Sequence, residues 1–539
     1  MMNYEDLSYR MKVKSVHKAG KVFSLIMFCF FLWFIGAEPS SCHGKEITIV
    51  KGELALSLRK CVELLLSNNL DLKVERYNPY LQEREIIKEK AAFDPLARFS
   101  LQDNKIVVSP TTLLNGVWGN SPYAILRKLN GNESYEQETI DYELSIAKKL
   151  ITGGLGELKF TTNKFETNSI FQYMSPTYHS NLVFSLNQPL LRNFGINLNK
   201  SRIIISGNNK EISHTRLRDK TIKMITTLQQ IYWKLHLSQQ VLGVKRDSLR
   251  LARDLMERNK VLVEVGKLAS IEVLRAQAGV SSREEAVILA GNAVGDGEDL
   301  LKETLDLPFQ NQIITLVDKP TFKEFSQMKV EHYLKVALEN RPDYEEAKIH
   351  CKNLTIANHI AKNAMLPLFD IQASYGINAT KDHHDESIQG LDMGGDYSWM
   401  IGFKIEIPLG NRWAKSNYQK SRLEIEKAGT SIKSLEKKIE LEIREALREI
   451  ESSSKRINAT QEARRLAEKN LEAEEERMNL GMSTSVDVLR VQEELAVAQC
   501  RETKAVVDYI NSLNNLDKVI GTTLETYQIE IQDINRVNK

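Results

Sequence analysis

The sequence predicts a mainly α-helical fold with a smaller β component, arranged as two tandem repeats of long helical hairpins with amphipathic strands between the helices. Two stretches, residues 201–305 and 414–516, contain no proline, a residue that breaks helices by removing a hydrogen bond and clashing with the preceding turn. A motif within the first stretch, VGKLASIEVLRAQ (265–277), recurs in the second as LGMSTSVDVLRVQ (480–492). Between the helical regions, apolar and polar residues alternate, which is typical of strands.

The first 44 residues have the pattern of a secretory signal peptide. Basic residues precede an apolar run at residues 22–35 and a small-residue segment, and this run is shorter than the about 20 residues that a membrane-spanning helix needs. A signal anchor is the alternative. Cys42 is a candidate for lipidation, although Pro39 stands where the usual signal has an aliphatic residue. Without residues 1–44 the chain has equal numbers of basic and acidic side chains, so we expect no nucleic-acid partner.

The order of elements recurs as well as the motif. It predicts repeats at 45–310 and 311–539, each with a helix, a variable segment, a long helix, a glycine and a second long helix. Four prolines mark the predicted boundaries between helices and strands: Pro95, Pro189, Pro367 and Pro408. The first repeat carries additional residues within about 96–188. This insertion either adds an external hairpin or changes the number of strands.

The strand before Pro408 has one strongly apolar face. Tyr397, Trp399, Ile401 and Phe403 alternate with polar or small residues. The pattern fits a soluble sheet over a core, and it also fits a transmembrane strand whose aromatic residues face lipid. Periodicity alone does not choose between the two.

The long helices need neighbours to cover an apolar stripe. Apolar residues recur at three- and four-residue steps from Ile432 to Ile450, a coiled-coil seam that other hairpins must cover.

The sequence contains no evident catalytic centre. KDHHDE (381–386) is interpreted as an external loop without a metal role, and TGGLGE (152–157) as a hairpin turn. We find no nucleophile–base set, so we predict no enzyme activity, no metal site and no cofactor.

The chain resembles the TolC-like outer-membrane efflux channels at three places. These are Asp343 with Pro367, Pro408 with the polar residues that follow it, and LGMSTSVDVL with its counterpart in the first repeat. The resemblance covers nearly the whole chain after the signal peptide. It implies a homotrimer whose strands form one transmembrane β-barrel in the outer-membrane lipid of a Gram-negative-type bacterium, and whose helices form a periplasmic α-barrel. It also implies a passive exit duct for a tripartite efflux pump or a type I secretion system, with a periplasmic adaptor (membrane fusion) protein and an inner-membrane transporter as partners.

The resemblance assigns the two recurring motifs to the periplasmic tips of the hairpins. The predicted adaptor contacts are Val265, Gly266, Leu268, Ser270, Gly481, Ser483 and Ser485. Asp487, with Glu272 as its counterpart and Arg490 one turn further, is the predicted pore constriction. Two alternatives to a constriction remain. Asp487 could pair with Arg490, or Asp487 and Glu272 could lie on an ordinary solvated helix face.

Two other classes of protein remain open. A periplasmic adaptor is expected to have one hairpin flanked by compact β domains, and a non-channel coiled-coil protein of the envelope would leave the amphipathic strands unexplained.

Overall fold

The computed structural model describes residues 54–108, 134–168, 172–309, 314–322, 325, 329–392 and 396–529. The predicted signal peptide and Cys42 lie outside these residues.

Both halves of the chain begin with a short strand and two helices and have two long helices towards their ends, but they differ in the strands between. The first half consists of β1 (Leu54–Leu56), α1 (Leu58–Asn68), α2 (Leu70–Lys90), a 3₁₀ turn (Ala91–Phe93), β2 (Leu96–Val108), β3 (Tyr135–Lys149), β4 (Leu155–Thr167), β5 (Thr177–Pro189), α3 (Ile196–Asn199), α4 (Ser201–Glu264) and α5 (Ser270–Leu305). The second half consists of β6 (Ile314–Leu316), α6 (Val330–Asn340), α7 (Pro342–Asn363), β7 (Leu368–Lys381), α8 (His384–Gln389), β8 (Asp396–Glu406), α9 (Arg412–Asn479), α10 (Ser485–Ile520) and α11 (Thr523–Thr526). The exact repeat boundaries stay a prediction.

The two proline-free stretches are the two helical hairpins. α4 packs against α5, α9 packs against α10, and α4 also contacts α10, so the hairpins lie side by side. At a rise of about 1.5 Å per residue, α4 and α9 are each about 100 Å long. The apolar seam of α9 is buried at Ile439, Ile443 and Ile450, against α6 and α10. Helices that are both long and apolar enough to cross a bilayer do not occur among the described residues.

The beginnings of the two halves are joined. β1 and β6 form a short parallel ladder, with Leu54 opposite Ile314. Beside it, Leu65 of α1, Ile225 of α4 and Leu301 of α5 belong to one buried apolar cluster. This cluster packs the first segments of both halves, β1 with α1 and β6, against the first hairpin.

The remaining strands form one antiparallel sheet in the order β2-β3-β4-β5-β7-β8. The four predicted boundary prolines lie at its ends: Pro95 and Pro367 directly precede β2 and β7, Pro189 is the last residue of β5, and Pro408 follows β8. The described sheet therefore contains four strands from the first half and two from the second. The insertion of the first half lies within the sheet and raises the number of its strands.

The pairing register gives the sheet one apolar face that continues across all six strands. From β2 to β8 that face carries Phe99, Leu101, Leu144, Ile146, Leu158, Phe160, Leu182, Phe184, Ala373, Tyr375, Trp399 and Ile401. The opposite face is mostly polar, for example Glu143, Lys159 and Asn181. Because side chains alternate along a strand, this division follows directly from the sequence pattern and the register.

The KDHHDE segment is more than a simple loop. It leads into α8, which packs on β5 and β7. Ser387 of α8 lies 2.8 Å from the hydroxyl of Ser180, which donates a 3.0 Å hydrogen bond to the hydroxyl of Thr162. The ring of His384 lies 5.6 Å from that of Tyr178. The short helix thus covers hydroxyl groups on the otherwise apolar face.

Candidate functional site

The first hairpin turns at Gly266. This residue has a φ of +73°, a conformation that glycine adopts without strain. The N–H of Lys267 donates to the carbonyl of Leu262 at 2.8 Å, which closes the end of α4. Helix α5 then begins at Ser270, and its N-cap residue, Ala269, offers no side-chain hydrogen bond. The start of α5 therefore lacks a side-chain N-cap.

The second hairpin turns in the same way at Gly481, which has a φ of +75°, but its next helix is capped. The N–H of Asp487 donates to Thr484 Oγ1 at 3.3 Å, and Asp487 Oδ2 accepts from the Thr484 N–H at 3.2 Å. This reciprocal arrangement is a capping box at the start of α10. Thr484 stands where the first motif has Ala269, so the two turns share a backbone and differ in their capping.

Asp487 is held by the capping box. Hydrogen bonds from the hydroxyl and the backbone of Thr484 lower the pKa of its carboxyl group, and the positive charges of Arg490 and Arg477 add to this effect. Arg490 itself makes its ion pair with Glu494 at 2.7 Å. Asp487 is therefore a solvent-accessible carboxylate that stays ionised, with its side chain fixed at the first turn of α10.

Glu272, the counterpart of Asp487, lies in a different environment. Its carboxylate pairs with Arg275 at 2.7 Å, and its Oε2 atom is buried without a hydrogen bond to any described residue. Glu474 of α9 accepts hydrogen bonds from the hydroxyl of Ser483 and, at 3.1 Å, from Arg477. Each tip thus has an acid–arginine pair, built from different positions of the repeat.

Most of the predicted adaptor contacts lie at the surface. Val265, Gly266, Ser270 and Gly481 are exposed, and Leu268 and Ser483 are half-buried. Ser485 is buried: its hydroxyl accepts a 2.9 Å hydrogen bond from Asn259, so it supports the tip from within. Two exposed apolar residues that the prediction omitted, Leu480 and Met482, flank Gly481.

Asn259 joins the two tips. It is fully buried on α4, and its side-chain amide donates to Ser485 of α10 and, at 3.3 Å, to the carbonyl of Glu272 on α5. The sequence signal is a polar residue eight positions beyond Leu251 within an apolar stripe. Such a residue commonly fixes the register of a helical seam.

A buried arginine makes a second connection between the hairpins. Arg283 of α5 donates to the hydroxyl of Ser248 on α4 at 3.0 Å and to the carbonyl of Leu489 on α10 at 2.7 Å. Burial lowers the pKa of its guanidinium group. Nearby, Lys245 of α4 pairs with Glu493 of α10 at 2.9 Å. These contacts hold the second hairpin in register with the first.

The far end of the molecule from the tips is the sheet. Tyr397, Trp399, Ile401 and Phe403 lie on its apolar face, and each of these side chains is between 67% and 75% exposed. Large apolar groups in a row at this exposure mark a surface that is covered by something other than water.

Comparisons with known proteins agree with this geometry. Residues 333–522 match the family model for outer membrane efflux proteins. Among solved structures, the fold is similar to that of the outer membrane channel CmeC of Campylobacter jejuni (16% identity, covering 89% of this chain and 90% of that chain, TM-score 0.62). It is also similar to the open state of the MtrE channel of Neisseria gonorrhoeae (15% identity, 87% and 89%, TM-score 0.60). The outer membrane protein VceC of Vibrio cholerae is a further match (14% identity, 86% and 96%, TM-score 0.58). No curated protein sequence matches the chain.

The fold expected from the resemblance is confirmed by these structures, and the family match covers the second hairpin together with the strands that precede it. The outer membrane, predicted as the location of the protein, is the location of this family. Residues 333–522 thus match the outer membrane efflux protein family, and the described part of the chain shares the fold of the outer membrane channels.

Proposed function

We propose that the protein is a passive exit duct in the outer membrane, serving a tripartite efflux pump or a type I secretion system. The observation that carries this function is a sheet with one apolar and one polar face, continued at one end by two long helical hairpins. In a bilayer, such a sheet separates lipid from water when it closes around a polar lumen. The hairpins then extend the duct into the periplasm.

The apolar face has roughly the height of the lipid-facing band of a barrel. On β8 it extends from Tyr397 to Ile405, a distance of about 26 Å along the strand at about 3.3 Å per residue, or about 20 Å across the bilayer at a strand tilt of about 40°. Transmembrane barrels carry an outward apolar band of about 25 Å. Outer-membrane lipid is therefore the proposed neighbour of this face.

Exposed apolar stripes on two helices support a ring of identical chains. Helices α2, α4, α7 and α9 pack side by side in that order. On α2 the exposed residues Leu70, Val74, Tyr77 and Leu81 lie opposite the buried face of the helix, and on α9 Leu423, Leu441 and Leu466 do the same. Contact between α9 of one copy and α2 of the next would cover both stripes. Following the family, we propose that three copies close this ring.

The hairpin tips are the proposed contact with a periplasmic adaptor, which in turn would connect the duct to an inner-membrane transporter. Val265, Leu480 and Met482 are large apolar residues that are exposed at the two turns. The first turn presents Lys267 where the second presents Met482. A threefold ring would therefore offer two kinds of docking groove in alternation.

Asp487 is the proposed charge at the constriction of the duct. Three copies around one axis would concentrate negative potential and favour cations. Arg490 forms its ion pair with Glu494, so it compensates the charge of Asp487 on the same helix only in part. Glu272 is the weaker candidate, since Arg275 pairs with it.

Conductance measurements test this function. Purified assembly in a planar bilayer is expected to conduct, and Asp487→Asn is expected to move the reversal potential towards lower cation selectivity. Asn keeps a side-chain oxygen for the Thr484 cap, so the tip stays folded. Glu451→Gln, which removes an exposed acid paired with Lys455 far from the tip, is the control and should change nothing. A protein found in the soluble periplasmic fraction, without conductance, would exclude a duct; unchanged selectivity in Asp487→Asn would exclude only the role of Asp487.

The two alternative classes fit the fold less well. A periplasmic adaptor would be expected to carry one hairpin, whereas the described part of this chain contains two. A coiled-coil protein without a channel would leave unexplained a sheet whose one face is apolar and exposed.

A further inference from the structure

The two halves of the chain contribute unequally to the sheet. Among the described residues, the second half supplies two strands, β7 and β8, whereas the first supplies four, because the hairpin β3–β4 is inserted between β2 and β5. We infer that this hairpin is part of the barrel wall and that β8 of each chain pairs with β2 of the next copy, so that three copies build a wall of eighteen strands. This inference rests on the proposed duct function.

The inserted hairpin is continuous with the wall on both sides. β3 pairs with β2 from Ala147 to Tyr135, and β4 pairs with β5 from Leu155 to Phe165. Its apolar side chains Leu144 and Phe160 lie in the same row as Phe99 of β2 and Leu182 of β5. A hairpin outside the bilayer would not need this apolar row.

The turn of the hairpin is also fixed to the base of the sheet. The N–H of Gly195 donates to the carbonyl of Thr152 at 3.1 Å, and the Thr152 hydroxyl donates to Gln188 at 2.7 Å. Gly153 has a φ of +101°, and a side chain there would overlap the carbonyl oxygen of Asn193. The insertion is thus anchored where the strands continue into the helices.

The free edges of the sheet identify the occupant as a second copy of this chain. Among the described strands, β2 and β8 each have a partner on one side only. An unpaired strand edge in lipid leaves several backbone groups without hydrogen bonds, which is prohibitive. Because six antiparallel strands alternate in direction, β8 of one copy runs antiparallel to β2 of the next, and the same apolar face continues through Trp399 to Phe99.

The extra hairpin changes the width of the duct. With strands about 4.8 Å apart and tilted by about 40°, eighteen strands give a backbone diameter of about 36 Å, against about 24 Å for the twelve strands that three chains without the hairpin would provide. The lumen would be lined by the polar face, on which Lys159 and Glu143 form an ion pair at 2.8 Å.

Cysteine labelling tests the placement of the hairpin. In proteoliposomes containing the assembled protein, Lys159→Cys is expected to react with a membrane-impermeant maleimide at least tenfold faster than Leu158→Cys. Met400→Cys and Ile401→Cys on β8 form the matched pair, and the unsubstituted chain gives the background from native cysteines. Equal labelling of positions 158 and 159, with normal alternation on β8, would place the hairpin outside the wall and overturn the inference.

Disulfide scanning tests the pairing between copies. Phe99→Cys is combined in turn with cysteine at Tyr397, Trp399, Ile401, Phe403 or Ile405, and one combination is expected to give a covalently closed ring of three chains under oxidation. Leu144→Cys, on the same face but inside the sheet, is the control and should give none. If the assembly conducts but the Phe99 series gives no cross-link, the strand count is wrong and the duct stands. If neither conductance nor a ring is found, the proposed function itself fails.

Discussion

Removal of the side-chain cap of α10 by Thr484→Ala is expected to loosen the tip of the second hairpin and to leave the first unchanged. The Thr484 hydroxyl accepts from the Asp487 N–H at 3.3 Å and donates to the Asp487 carboxylate at 2.6 Å. The substitution removes both hydrogen bonds. The bond from the Thr484 N–H to the same carboxylate, at 3.2 Å, remains.

The size of the effect follows from these contacts. Replacement of an N-cap threonine by alanine typically costs about 1 kcal/mol of helix stability, within a range of about 0.5–2 kcal/mol. Because the turn is exposed and one bond of the capping box survives, we expect a value near the middle of that range. A change of about 1 kcal/mol corresponds to an opening equilibrium about fivefold larger.

Hydrogen exchange measures this directly. In the assembled protein, backbone amides in the first turn of α10 are expected to exchange about fivefold faster in Thr484→Ala, whereas those at residues 270–276 keep their rate. Thr460→Ala is the control, since Thr460 lies in mid-helix and bonds only carbonyls within α9. Equal acceleration at both tips, or none at α10, would refute the assignment of the capping box as a local stabiliser of the second tip.

Three further predictions follow from the same contacts. Ala269→Ser supplies the cap that the first tip lacks, and exchange at the start of α5 should slow by up to about fivefold; unchanged or faster exchange would contradict this. Gly153→Ala places a side chain against the carbonyl of Asn193 at a positive φ, so less assembled protein should reach the outer membrane. Gly156→Ala is the control and should be tolerated, because the space at Gly156 is open. Equal yields of the two variants would argue against an anchored turn. Because the folded pKa of Asp487 is depressed, its contribution to the tip is present above the ordinary aspartate pKa of about 3.9 and is lost as the pH falls through the folded value. The protection factor of the α10 amides, which is the intrinsic exchange rate at each pH divided by the observed rate, should therefore fall only below that ordinary value. A fall of the protection factor between pH 7 and 5 would contradict the assignment.

The helical part of the fold was predictable because its causes are local. The absence of proline and the three- and four-residue apolar spacing predicted the long helices, and the structure places them at Ser201–Glu264 and Arg412–Asn479. The two glycines predicted to end these helices both have positive φ values. The turn predicted at TGGLGE (152–157) joins β3 to β4, whose first residue is Leu155. In each case a short stretch of sequence contains the whole physical reason.

The contacts between the hairpins were not predictable for the opposite reason. Asn259 reaches Ser485, and Arg283 reaches the carbonyl of Leu489, each across more than two hundred positions. A polar residue in an apolar stripe signals that some partner exists, but the identity of that partner depends on how the hairpins pack. The same holds for the number of strands, since the length of an insertion does not say how often the chain crosses the sheet.

The unequal number of strands in the two halves can be related to the perimeters of the helical and strand layers. Each chain places α2, α4, α7 and α9 side by side, so three chains provide twelve helices. At an interaxial distance of about 8–10 Å, these have a perimeter of about 96–120 Å. Eighteen tilted strands have a perimeter of about 113 Å, whereas twelve have about 75 Å. In the proposed wall of eighteen strands, the strand layer would match the helix layer that it joins, and the chain would pass from strand to helix at Pro95, Pro189, Pro367 and Pro408 without a step. One extra hairpin per chain, in the first half alone, would be enough to make up the difference in perimeter.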